Sequence, residues 1–244
     1  MSSATANPFR NFKKVLSQNL EPDLRRYLFK VYSTMALTCA AAATGSIVHL
    51  TNLWTAGFLS IFLQIFTMVT LVLTPKRKTN RRFRLALLLV IGALSGHTLG
   101  LLIEQVMVVN PAFVITALLG TVISFGWLSL SAILARRGSH LMLGGVLSSV
   151  TCALVAVAVG NLFYQSWIVH KLSLYLALAL MCGFVLFDTQ IIMEEYRAGV
   201  DDYVAHALRL FFNVEDIFRL LMEILLTKSE PRNSMRRNAD QNDE

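Results

Sequence analysis

Charge is scarce in this sequence. Only 15% of its 244 residues are Asp, Glu, Lys or Arg, where an average soluble domain carries about a quarter. No stretch is polar enough to form a separate soluble domain. Cysteine is scarce too: Cys39, Cys152 and Cys182 each stand alone inside apolar runs, without a CxxC or a Cys/His pairing. That excludes a disulfide framework and a zinc site, and the three thiols read as small packing residues. The first thirty residues lack the short apolar core and small-residue cleavage site of a secretory signal peptide, so none is expected.

What is present is apolar length. Hydrophobic residues make up 55% of the chain. Six runs are long enough to cross about 30 Å of hydrocarbon, at 31–50, 53–73, 83–103, 112–134, 141–163 and 173–193. A seventh, 207–227, is apolar but broken by Arg209, Asn213, Glu215, Asp216, Arg219 and Glu223. Three readings of it stay open: a full crossing, a re-entrant segment, and an amphipathic helix on the membrane surface. The preferred division is a segment at 1–30, a seven-helix membrane domain at 31–227 and a polar tail at 228–244.

The net charge of +7 does not point to nucleic acid, because it hugs the ends of apolar runs. Lys and Arg crowd the segment before the first run (Arg10, Lys13, Lys14, Arg25, Arg26, Lys30) and the stretch between the second and third (Lys76, Arg77, Lys78, Arg81, Arg82, Arg84). Arg136, Arg137 and Arg197 follow in the fourth-to-fifth and sixth-to-seventh loops, whereas the alternate loops hold only Lys171. Positive loops face the cytosol, which places the N-terminus there. Lys228, Arg232, Arg236 and Arg237 oppose a seventh crossing on the same rule.

Acids within apolar runs are costly, at least about 2.5–3.5 kcal/mol at the bilayer centre, and normally face the bundle interior. Asp188, in CGFVLFDTQ, is the leading candidate. With helix borders at Met193 and Leu208, Asp188 and Asn213 each lie five residues in, level with one another if the last two helices are antiparallel neighbours. At 100° per residue Arg209, Asn213, Asp216 and Glu223 share a sector of about 80°, with Glu215 and Arg219 off it. Such a stripe suits a hydrated path or an internal network. Glu104, at the far end of the third run, shares a side with His97 and reads as a secondary position or a solvated helix end. Gly92, Gly96 and Gly100 repeat at GxxxG spacing, which suits close helix packing.

Catalysis is not expected. There is no GxGD motif, Ser95 and His97 point to different helix faces, and His49, His97, His140, His170 and His206 are scattered. The acidic connection EEYRAGVDDY lacks EF-hand ligand spacing and reads as a solvated turn. The run PKRKTNRRFR could hold anionic lipid head groups, though topology alone explains it.

The stretches NPAFVITALLGT, LSLSAILARRGSHLMLGG and LYLALALMCGFVLFDTQIIMEE, with DDYVAHALRLFF after them, resemble the Bax inhibitor-1 family in its eukaryotic endoplasmic-reticulum branch. The resemblance spans Leu24 to Leu226. It implies an all-α polytopic bundle of seven transmembrane helices, six around a central hydrophobic one, in the endoplasmic-reticulum membrane. It also implies suppression of cell death and a pH-sensitive passage of calcium as a leak channel or a proton-coupled exchanger. Calcium would be the transported ion, not a cofactor. Implied partners are membrane lipid, calcium ions and protons, Bcl-2-type cell-death regulators and inositol trisphosphate receptors. A non-transporting interaction protein is the alternative. In the family an aspartate pair on the last two helices shares a proton. Asp188 matches the first position, but the second falls on Asn213, so a facing carboxylate is replaced by an amide that does not titrate. Asp216 and Glu215 are the acids closest to taking over.

Overall fold

Every apolar run is helical in the computed structural model, which describes residues 21–54, 57–76 and 80–242, with side chains to residue 229. Arg10, Lys13, Lys14, Arg77 and Lys78 lie outside the described residues, as do the side chains of Arg232, Arg236 and Arg237. The helices are α1 (Pro22–Leu50), α2 (Phe58–Leu73), α3 (Arg81–Val109), α4 (Ala112–Leu134), α5 (Leu143–Tyr164), α6 (Trp167–Arg197) and α7 (Tyr203–Asn242), with no strand among the described residues. By length and composition α1, α3, α4, α5 and α6 can each cross a membrane. The chain is a multi-pass membrane protein.

The helices α1, α3 and α6 extend four to nine residues beyond the expected runs at one end or both, and α2 and α7 depart further in kind. The second run was placed at 53–73, but α2 has only 16 residues, about 24 Å at 1.5 Å per residue. Its start is delayed by a turn at Thr51–Trp54, where Asn52 takes φ 56°. Asn tolerates that left-handed region because its short polar side chain can bond locally. The last run was placed at 207–227, but α7 stays helical from Tyr203 to Asn242, through the stretch assigned to a polar tail.

α7 is neither a surface helix nor a re-entrant one. It packs against α1, α3, α4 and α6, while α2 leans on α3 and α5 on α6. Its inward residues Val204, Ala207, Leu210, Phe211, Ile217 and Met222 are buried. It starts beside the α2–α3 loop, where Arg84 meets Asp202. Its Ile224, Thr227 and Lys228 share a small cavity with Lys171, Leu174 and Tyr175 of α6 at the opposite end. α7 therefore runs the length of the bundle.

Glycine sets the closest approach, between α1 and α3. A Cβ added to Gly45 would collide with the Ala93 carbonyl, and one on Gly96 with the Ala42 carbonyl. One on Gly92 would lie 2.7 Å from Thr38 and one on Gly100 2.7 Å from the His49 ring. The GxxxG spacing thus does what it does elsewhere in membranes, letting backbones touch where lipid offers no hydrophobic drive for association.

Candidate functional site

Three consecutive polar residues in the last third of α6 tie it to three different neighbours, because successive helical positions turn by about 100°. Asp188 is 8% exposed and its Oδ2 accepts a hydrogen bond from Nδ2 of Asn213 on α7 at 2.8 Å. Thr189 is fully buried, with its Oγ1 3.5 Å from the Tyr32 hydroxyl of α1. Gln190 Oε1 accepts from the His140 amide at 2.8 Å, while its Nε2 donates toward the Ala132 and Arg136 carbonyls and Ser139 Oγ. The FDTQ stretch is therefore a junction joining α6 to α7, to α1 and to the α4–α5 loop.

The Asp188–Asn213 bond joins the two residues singled out from the sequence, level with one another as antiparallel neighbours should be. With α6 ending at Arg197 and α7 starting at Tyr203, the two residues are nine and ten positions from their helix ends. At 1.5 Å per residue that is about 14–15 Å from the charged end of each helix, about a third of the way along the 31-residue α6.

Of the other stripe residues, Asp216 and Glu223 are partly buried. Arg209, one turn before Asn213, turns to Glu195 at 3.5 Å. Glu215, off the stripe, is buried with Arg219 as its ion-pair partner at 3.1 Å. At the other end of the bundle, Glu104 is 63% exposed and lies 3.3 Å from His49 Nε2. His97 is buried, its ring edge-on to His49 with centroids 5.6 Å apart and 5.0 Å from the Trp54 ring. Glu104 and His97 are thus linked through His49, to which the sequence reading assigned no role.

Between the pair and the basic end lies a network that the sequence reading missed. His206, buried on the first turn of α7, sits between the Tyr27 hydroxyl (2.6 Å from Nδ1) and the Glu195 carboxylate (2.7 Å from Nε2). Tyr27 stacks on Tyr196 with ring centroids 4.2 Å apart. Asp202 receives both Arg84 amino groups, at 2.7 and 2.9 Å, with Lys76 at 3.6 Å. Arg81 meets Asp201 at 2.6 Å, and the Lys30 ammonium stands 3.8 Å over the Tyr203 ring. Burial works against an ionised Asp202, but the hydrogen bonds and charge of Arg84 outweigh it and hold the carboxyl below its ordinary range. The acidic connection is therefore not only a solvated turn. Its Asp202 and the helix-end Glu195 bind α1, α3 and α7 together. The available signal was the stretch of alternating acids followed by Tyr203 and His206, but nothing in it names partners more than a hundred residues away.

Among the described residues no group of three or more His, Cys, Asp and Glu stands close enough to hold a metal ion. What the central arrangement offers is a buried carboxylate bonded to an amide across two helices, with charged groups between it and one end of the bundle.

Comparison with known proteins adds an independent line. Residues 24–230 match the family model described as "Inhibitor of apoptosis-promoting Bax1". The chain is 41% identical over 217 residues to Bax inhibitor 1 of Mus musculus, covering 88% of this chain and 92% of that protein. It is 37% identical over 229 residues to Bax inhibitor 1 of Drosophila melanogaster, covering 94% of each. With Bax inhibitor 1 of Arabidopsis thaliana it shares 35% identity over 222 residues, 90% of this chain and 86% of that one.

Proposed function

The chain belongs to the Bax inhibitor-1 family, an apoptosis-regulating group of membrane proteins, and on that premise we propose that it suppresses cell death by passing calcium across the endoplasmic-reticulum membrane under the control of protons. The path runs along the α6–α7 interface, and the Asp188–Asn213 bond is its constriction. That bond carries the reading: a carboxylate oxygen 2.8 Å from an amide, buried between two helices that run the length of the bundle. Charged groups at bilayer depth are retained where they serve an ion or proton path.

The chemistry of the pair sets what protons can do. An ionised Asp188 accepts from the Asn213 amide; a protonated one donates to the Asn213 carbonyl once the amide turns over. A hydrogen bond survives in both states, so protonation shifts the pair between two closed geometries and does not by itself break it. Release depends on what competes for the partners, and Arg209, held by Glu195 one turn away, is the nearest cation. The clustering of Lys and Arg at the loop ends supports a cytosolic N-terminus. No enzymatic activity is assigned; calcium is the transported ion.

Calcium flux from proteoliposomes measured across pH tests this. The native chain should release calcium in a pH-dependent manner, and Asp188→Asn should release it with a flat profile. An unaltered pH response in Asp188→Asn removes Asp188 as the sensor. A native chain that passes no calcium at any pH supports instead a non-transporting protein that binds cell-death regulators or calcium-release channels.

A further inference from the structure

Glu215 follows Asn213 by two positions, a rotation of about 200°, so it leaves α7 on nearly the opposite side from the Asp188 contact. It is 12 residues from Tyr203, about 18 Å along the helix, and level with Ser95, the central residue of the 29-residue α3. On that side it meets α3 and α1, with Ser95 as its neutral neighbour and Cys39 within electrostatic reach. Its Oε1 accepts from Arg219 Nη2 at 3.1 Å, but its Oε2 is buried without a hydrogen bond.

The surroundings extend this polar spot into a seam. Ser95 is fully buried, and its Oγ accepts from Gln64 Nε2 at 2.8 Å. Gln64 belongs to α2, whose lipid side carries Phe58, Phe62 and Phe66, all well exposed. The other side of α2 presents Ser60, Gln64 and Thr67 at i, i+4 and i+7, with Ser60 and Thr67 buried and Ser60 Oγ also lacking a hydrogen bond. An apolar helix has thus turned a polar strip inward. Buried polar atoms are hydrogen-bonded in the large majority of cases, so the orphan Oε2 of Glu215 calls for a partner.

Charge and donor number identify the ligand. Glu215, Asp216 and Glu223 share the single cation Arg219, which leaves the cluster net negative; Cys39 on α1 is the titratable group facing the Glu215 carboxyl from a neighbouring helix. The side-chain oxygens of Glu215, Ser95 and Gln64 are too few for calcium, which takes six to eight. A single positive charge that needs one acceptor fits. We propose that Glu215 is a proton-binding position in the middle of the bundle, on the α1–α3 side of α7 and separate from the Asp188–Asn213 pair, with Ser95 and Gln64 as its polar neighbours. The proton goes onto Oε2, and the resulting O–H donates toward Ser95.

Infrared difference spectroscopy of the full chain in lipid vesicles, titrated across pH, tests this without any flux measurement. The native chain should show a carboxylic C=O stretch that appears on acidification, disappears in Glu215→Gln, and persists in Asp188→Asn. Glu215→Asp should keep such a band at a shifted frequency, which separates loss of the acid from loss of the fold. Replacing sodium by choline should leave the band unaltered. A Glu215→Gln spectrum identical to the native one overturns the proposal. So does a band that sodium suppresses, since the site would then take an alkali cation. A chain that passes no calcium but retains the Glu215 band refutes the calcium path and leaves this proton position standing.

Discussion

At the scale of single residues, the departure at Asn213 is the most informative feature. Two facing carboxylates resist joint ionisation, so a shared proton responds steeply to pH, whereas a carboxylate facing an amide does not couple in that way. Asn213→Asp is therefore expected to steepen the pH dependence of calcium release, read from proteoliposome flux; a curve superimposable on the native one excludes position 213 from gating. Asp202 makes a second prediction, about stability. Removing one partner of a buried ion pair costs about 3–5 kcal/mol, so Arg84→Ala should lower the thermal unfolding temperature of the purified protein markedly at neutral pH. Because Arg84 holds the folded-state pKa of Asp202 below its unfolded value, the pair's contribution is fully present above that unfolded value, about 3.9. It is lost as pH falls through the lower, folded one. Native and Arg84→Ala proteins should converge in stability only under that strong acid, and a difference that persists there would show that the pair is not its source.

Individual residues also show how far the candidate site was legible. Asp188 and Asn213 could be matched because both positions follow from helical arithmetic and from one assumption, that the last two helices are antiparallel neighbours. Thr189 and Gln190, one and two positions later, could not, since their partners Tyr32 and the α4–α5 loop are distant in sequence. The same holds for Tyr27, 179 residues from His206. Glu215 lies off the polar stripe and reads from the sequence only as a secondary candidate, and its burial beside Ser95 of α3 shows that a second face of α7 is polar as well.

At the scale of elements, the α1–α3 contact is decided by absent side chains. Gly96→Leu should prevent the two backbones from meeting, because even a Cβ there overlaps the Ala42 carbonyl. Expected is loss of monodisperse protein in size-exclusion chromatography, while Gly126→Ala on α4, where a Cβ would meet nothing within 4 Å, should behave as native. Equal behaviour of the two variants would contradict the close approach. α7 illustrates the opposite case. Its polar residues made the seventh run ambiguous by hydropathy alone, yet the same residues find partners on α6 and within α7 itself, and that lets a charged helix lie inside the bundle.

For the whole molecule, the distribution of Lys and Arg predicts sidedness that labelling can read. With the native cysteines replaced, Lys76→Cys should react with a membrane-impermeant thiol reagent from the cytosolic face of sealed microsomes. Lys171→Cys should react only after the vesicles are opened, and labelling of both from one face would contradict the bundle's end-to-end polarity. Lys228 shares a cavity with Lys171, so α7 carries its basic end to the side that the charge rule disfavours. The rule is a bias on insertion, and the packing of α7 against four neighbours stands against it.

The amino-acid sequence alone determined the membrane class, the number and order of the helices and about half of their borders, because apolar length and helical period are local properties. It also determined that Asp188 would meet Asn213, since both lie at matched depths on adjoining helices. Only the tertiary structure decided that α7 runs through the interior, that Glu195, His206, Tyr27, Arg84 and Asp202 close one end, and that Glu215 is buried beside Ser95 with one carboxyl oxygen lacking a hydrogen bond. Those facts depend on which helix faces meet, and contacts spanning a hundred residues or more leave no mark in the spacing of any single run.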